Sequence, residues 1–283
     1  MKLTSRILLK AAQLSPYGHW KLVSLAANRD SSLWDFPISL KSIPGGILRA
    51  DLREQVYTQF LRHGCIPHQK PTDELLKKLI RSGDLIFDIG ANIGYLSLLF
   101  NSLLKNTGTV VAIEPSTRCF HQLQRNTAFS EKIQTLNVAI SNRTEKLQFA
   151  ETKCLERSSL ETVNTYAKTI DVEAIQLDDL CLEYGMPDFI KIDVEGHEFA
   201  VFQGAEKMLS SKLRPLIYFE ALNSTALKKC IQIIETLSEN SFKIYRSSQQ
   251  AKLLPWQHPN GLNDSLAVPN EKSHQIPPSL QES

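Results

Sequence analysis

The sequence predicts an α/β fold in which a mostly parallel sheet carries helices on both faces. Three observations support it. Apolar runs of strand length recur at 85–89 (LIFDI), 109–113 (TVVAI), 188–193 (DFIKID) and 215–220 (PLIYFE). Helical patterns separate the runs: after the first, Ile93, Leu96, Leu99, Phe100 and Leu103 share one face. A glycine turn joins that first strand to its helix. Strands that alternate with helices need crossover connections, and crossovers make a parallel sheet.

Length and composition frame the rest. The chain has 283 residues, 42% of them hydrophobic, and a net charge of +2. This suffices for one large α/β domain with extensions. No apolar run approaches the eighteen or so residues that span a bilayer, and Lys10 interrupts the short apolar run near the N-terminus, so no membrane span and a cytoplasmic location are expected. The five cysteines form no C-x-x-C pair, which argues for free thiols. Nearly balanced charge without a basic run argues against nucleic acid as a partner.

The elements follow in order. Residues 5–14 and 20–27 read as helices broken by Pro16 and Gly18, and 35–50 as two short strands around Pro44-Gly45-Gly46. Residues 1–50 are therefore expected as an N-terminal extension that packs on the domain or on a partner subunit, as in a homodimer. Residues 51–61 are expected helical, 64–71 a loop and 72–80 a helix. The core alternates strand 85–89, helix 93–104, strand 109–113, helix 117–129 and strand 134–139. Runs 145–150 and 169–177 read as extra strands around a polar loop. Strand 188–193, helix 196–211, strand 215–220 and helix 225–239 form the second half. Runs 242–245 and 265–268 would close the sheet as an antiparallel pair. The domain is expected to span 51–269, and the Pro-, Ser- and Gln-rich tail 270–283 is expected to be disordered.

The glycine turn reads Gly90-Ala91-Asn92-Ile93-Gly94 behind Asp88. Glycines let the backbone approach a ligand closely, and the helix that follows points its free N–H groups at it. A dinucleotide site would read G-x-G-x-x-G, but its second glycine is replaced here. A carboxylate at Asp88 repels a pyrophosphate and suits a cation. S-adenosylmethionine carries an ammonium, a carboxylate and a sulfonium, and no phosphate. Asp88 would anchor its ammonium, directly or through water, and the turn with Asn92 its carboxylate. Glu114 ends the next strand, where an acid that binds ribose hydroxyls is expected. Pro115, Asn137 and Ala139, in the loops after the second and third strands, are candidates for the adenine walls.

A second run, Asp188 to Glu198 (DFIKIDVEGHE), lies between AIQLDDL and RPLIYFEA. Together with DIGANIGYLSL and AIEPS, these resemble the FkbM family of S-adenosylmethionine-dependent methyltransferases over about residues 55–245. The resemblance implies a doubly wound, mostly parallel seven-stranded sheet of the Rossmann-like class I methyltransferase kind. It also implies O-methylation of a hydroxyl on a small molecule or a sugar-containing acceptor, and leaves the acceptor open.

The strand ending at Asp193 should deliver Asp193, Glu195 and His197 to the rim beside the methyl donor. Asp193 or His197 is expected to act as base or to orient the acceptor hydroxyl. A plainer role stands beside this one: acids at the start of a helix are favoured by its dipole. Asp193, Glu195, His197 and Glu220 could also ligate a metal, but two acids close together on a departing strand make a thin site, and none is assigned. Trp256 and His258 are loop residues that would either touch an acceptor or plug the sheet edge. The competing functions are a nicotinamide-dependent oxidoreductase, a nucleic-acid methyltransferase and a non-catalytic binding module. The altered glycines and Asp88 oppose the first, and the DVEG run with balanced charge the second. The joint presence of Asp88, Gly90, Gly94 and Glu114 opposes the third.

Overall fold

The structure, a computed structural model, describes residues 1–15, 18–105, 107–151, 168–256 and 264–280. Helices α1 (Leu3–Leu14) and α2 (His19–Ala27) open it, followed by the antiparallel hairpin β1 (Phe36–Ser39) and β2 (Ile47–Ala50). Helix α3 (Tyr57–His63) starts later than the expected position 51. The reason is local: Asp51 accepts hydrogen bonds from the Arg53 backbone and side chain, which competes with helix formation. Helix α4 (Lys70–Leu79) leads into the core.

The core runs β3 (Leu85–Ile89), α5 (Tyr95–Leu103), β4 (Thr109–Ile113), α6 (Thr117–Thr127), β5 (Ile133–Leu136), β6 (Ala139–Ser141), β7 (Glu145–Glu151) and β8 (Lys168–Gln176). It continues through α7 (Leu177–Tyr184), β9 (Phe189–Ile192), α8 (Glu198–Gln203), α9 (Glu206–Ser210), β10 (Leu216–Glu220), α10 (Ser224–Leu237), β11 (Phe242–Ser247), β12 (Leu253–Pro255) and β13 (Asp264–Pro269). Among the described residues the main sheet has the order β12-β11-β13-β10-β9-β3-β4-β5. It contains the seven expected strands, and β12 adds a short edge. From β5 to β10 the strands are parallel, and β13 runs antiparallel to both β10 and β11. A smaller sheet, β6-β8-β7, stands apart; of the polar loop expected over 151–168, Glu151 and Lys168 end the strands β7 and β8 and residues 152–167 lie outside the described residues.

Alternation along the strands divides the core. Ile86, Val110, Phe189 and Tyr218 face one layer, with α5, α6 and the N-terminal helices. Phe87, Val111, Ile190 and Phe219 face the other, with α7 to α10. The order of strand addition reverses between β3 and β9, with β4 and β5 added on one side and β10 on the other, so the crevice beyond their carboxyl ends is where such a sheet binds ligands.

Three further expectations are corrected. The tail is not disordered through residue 280: it forms 3-10 turns at Asn270–Gln275 and Pro278–Leu280, with Ile276 and Leu280 buried. Arg214 pairs with Glu271, and Lys252 Nζ donates to Ser279 O. The single helix expected over 196–211 is two, parted at Gly204, where a Cβ would stand 2.1 Å from Ser141 O. The strand expected to run through 177 yields at Gln176 to α7, which opens with a reciprocal capping box between Gln176 and Asp179.

Candidate active site

Two adjoining cavities open over the carboxyl ends of β3, β4 and β9. Gly90, Asn92, Asp193 and Glu195 border both.

The first cavity is walled by Glu114 and Pro115 after β4, by Val138, Ala139 and Ile140, by Phe149 of the small sheet, and by His197. Glu114 is buried, and Oε2 and Oε1 accept from the backbone N–H groups of Asn92 and Ser116, each at 2.8 Å. Burial drives its pKa up to about 7 against those two bonds. Among the described residues each carboxylate oxygen accepts this one bond, which leaves a second lone pair for another donor. His197 shares a hydrogen bond of 3.0 Å with Ser141 Oγ through Nε2. It lines the first cavity and not the second.

The turn between β3 and α5 joins the cavities. At Gly90 φ is +76°, and a Cβ there would stand 1.8 Å from Asp193 O. The glycine thus serves the close approach of the β3 and β9 loops. Asn92 holds φ at +52°, a region that Asn tolerates better than most residues. Its Oδ1 accepts from the Tyr57 hydroxyl at 2.6 Å. Gly94 caps α5 against Leu123 and lines neither cavity.

The second cavity lies between this turn and the N-terminal layer. Tyr57 and Phe60 of α3, His68 and Gln69 form one side, and Lys191, Asp193, Glu195 and Glu220 the other. Glu220 ends β10 beside β9, where Phe219 pairs with Ile192. Burial, then the Asp193, Asp264 and Glu195 charges, raise its pKa to about 8. Glu195 holds φ at +53°, and the Glu198 carboxylate fixes its loop by accepting from Val194 N and Gly196 N. Glu198 therefore orders the rim, which is more than favourable placement on a helix dipole.

Asp88, expected beside a ligand ammonium, is 0% exposed and lines neither cavity. Ser97 Oγ donates to it at 2.5 Å, and Lys191 Nζ stands at 3.6 Å. Asn137 also stays out of the cavities: its amide donates to Glu114 O and Pro115 O and so braces the turn after β4. Sequence reasoning assigned no role to Lys191, Tyr57 or Gln69. For Lys191 the signal was present, because a lysine in the apolar run FIKI has to be paired or face a site. Among the described residues no three His, Cys, Asp or Glu side chains converge as a metal site. Trp256 packs on the core, and His258 lies outside the described residues.

Residues 88–244, more than half of the chain, match the family described as the Methyltransferase FkbM domain. No curated protein matches the chain. Among solved structures, it is similar to a methyltransferase FkbM from Methylobacillus flagellatus KT at 16% identity and a TM-score of 0.46. That likeness covers 90% of this chain and 61% of the relative, so the chain spans less than two thirds of it. A precorrin-6y C5,15-methyltransferase from Geobacter metallireducens GS-15 is similar at 11% identity and a TM-score of 0.41, over 70% of this chain and 84% of the other. A fibrillarin from Aeropyrum pernix, in complex with S-adenosyl-L-methionine, is similar at 14% identity and a TM-score of 0.40, over 67% and 68%.

Proposed function

The chain belongs to the FkbM methyltransferase family, and from that premise we propose that it transfers the methyl group of S-adenosylmethionine to a hydroxyl of a small molecule or glycan. The observation that carries the reading is Glu114: a buried carboxylate at the end of β4 with one lone pair free on each oxygen, in a cavity that adjoins a second one. Two free acceptor sites match the two ribose hydroxyls of an adenosine. Val138, Ala139, Ile140 and Phe149 offer the apolar faces an adenine needs. The residues therefore fit this cofactor. Glu195, which borders both cavities, is the carboxylate that would meet its ammonium, and Asp88 stands behind the turn, held to Lys191.

Bound there, the cofactor supplies a methyl group already activated by its sulfonium. What remains for the chain is to align the acceptor, exclude water and take a proton. We assign the acceptor to the second cavity. Asp193 or Glu220 accepts the hydroxyl proton, and Lys191, held by Gly90 O at 2.8 Å, keeps Asp193 in position. His197 belongs to the cofactor side. The test is incubation with S-adenosylmethionine and a panel of neutral, cationic and anionic alcohols, followed by mass spectrometry of the products. A methyl ether formed with wild-type protein and lost in Asp193→Asn supports the reading; methylation at nitrogen or carbon alone would refute the O-methyl assignment.

A further inference from the structure

Helix α1 has two apolar faces. Ser5, Leu9 and Ala12 are buried against the body of the protein. On the opposite side Leu3, Ile7 and Leu14 are 72%, 59% and 85% exposed, although such side chains are normally shielded when they align on one face. At 100° per residue these three fall within about 40° of one another, and exposed Arg6 and Lys10 flank them on one side. Residues 1–29 contain Lys2, Arg6, Lys10, Lys21 and Arg29 and no Asp or Glu. The first carboxylate, Asp30, is buried and accepts from Lys2 N and Ser32 Oγ. Nothing acidic is therefore offered to this surface from its own segment.

From this arrangement we propose that α1 docks the protein on an anionic lipid surface, with Leu3, Ile7 and Leu14 entering the acyl boundary and Arg6 and Lys10 meeting the headgroups. An in-plane helix with an apolar stripe beside basic residues is suited to this. Twelve residues, about 18 Å of helix, are too short to span the hydrocarbon core, so the helix lies on the surface. The charge pattern decides between lipid and a second copy. A two-fold contact would set Arg6 and Lys10 against the same residues of the partner, with no carboxylate among residues 1–29 to compensate. A nucleic-acid backbone would satisfy the cations and leave the three apolar side chains in water. The proposal does not depend on the methyltransferase reading.

The test is co-sedimentation of the full chain with vesicles of mixed phosphatidylglycerol and phosphatidylcholine, and with phosphatidylcholine alone. The proposal expects at least tenfold stronger binding to the anionic vesicles. The triple variant Leu3→Ser, Ile7→Ser, Leu14→Ser should lose at least tenfold of that binding, and Arg6→Gln with Lys10→Gln severalfold. All of these positions are exposed, so circular dichroism and melting temperature should stay at wild-type values. Absence of vesicle binding by folded protein would overturn the proposal, as would binding that both variants leave unchanged. Light scattering that finds a dimer abolished by the triple variant would assign the face to a second copy instead. Binding to random-sequence DNA that only the charge variant weakens would assign it to nucleic acid.

Discussion

The Lys191 ammonium stands 3.6 Å from the Asp88 carboxylate, and both residues are buried. The same ammonium lies 3.6 Å from Asp193 and donates to Gly90 O at 2.8 Å. One side chain thus ties the acid behind the glycine turn to the acid at the rim. Burial works against its charge, but Asp193, Asp88, Glu220 and Glu114 together raise its pKa above the ordinary lysine value.

Removing that tie should be costly. Lys191→Met leaves Asp88 buried without its counter-charge, and loss of one partner of such a pair destabilises by about 3–5 kcal/mol. Urea unfolding checks this. The double variant with Asp88→Asn should recover much of the loss, and failure to recover any would show that the two residues do not act as a pair.

Gly90→Ala should disturb fold and site together. The new Cβ would meet Asp193 O at 1.8 Å, in a backbone conformation that side chains disfavour. A loss of about 2–3 kcal/mol is expected, with weaker cofactor binding because the loops of β3 and β9 are forced apart. A denaturation curve and a binding titration on the same sample check both.

Stability should fall as pH rises from about 5 to about 8.5. Burial raises Asp73 to about 6, Glu114 to about 7 and Glu220 to about 8. Each of these acids has a higher pKa folded than unfolded, so the folded state binds more protons between the two values. Their contribution is full below the unfolded values and is lost as pH passes through the folded ones. Melting temperatures of ligand-free protein across this range check the sign.

Cofactor binding should show the opposite trend. Ribose hydroxyls donate to the charged form of Glu114, so binding lowers its pKa from about 7 and releases a proton near neutrality. Affinity should weaken as pH drops through 7. Calorimetry in two buffers of different ionisation enthalpy should report the released proton, and identical heats in both would argue against the role.

Asp193→Asn and Glu220→Gln should separate chemistry from binding. If either takes the acceptor proton, turnover falls by about 10²–10⁴-fold while the dissociation constant for S-adenosylmethionine changes little. His197→Ala should do the reverse, since His197 lines the first cavity only.

Much of this arrangement was legible in the sequence. The strand runs at 85–89 and 109–113 carry five apolar-rich residues each and coincide with β3 and β4. Glu114 and Asp193 lie at the strand ends where the alternation puts them. The rest depends on contacts distant in sequence. Asp178 accepts from Lys207 N and Met208 N, so it caps a helix that periodicity alone merges with its neighbour. Asp88 carries the right residue type for a ligand contact, and only the register Asp88 to Lys191 shows that its partner is internal. Tyr57, His68 and Gln69 reach the second cavity from before residue 88, where the family match begins, and no local pattern marks them. The burial of Ile276 and Leu280 likewise needs the finished body to pack against.

The most direct measurement is a calorimetric titration of the folded protein with S-adenosylmethionine, with NAD as a control, repeated on Glu114→Ala. Binding to a single site is expected, with no heat from NAD, and an affinity at least tenfold weaker in the variant with its circular dichroism unchanged. Folded wild-type protein that binds no S-adenosylmethionine, or a Glu114→Ala variant that binds it as tightly as wild type, would contradict this expectation.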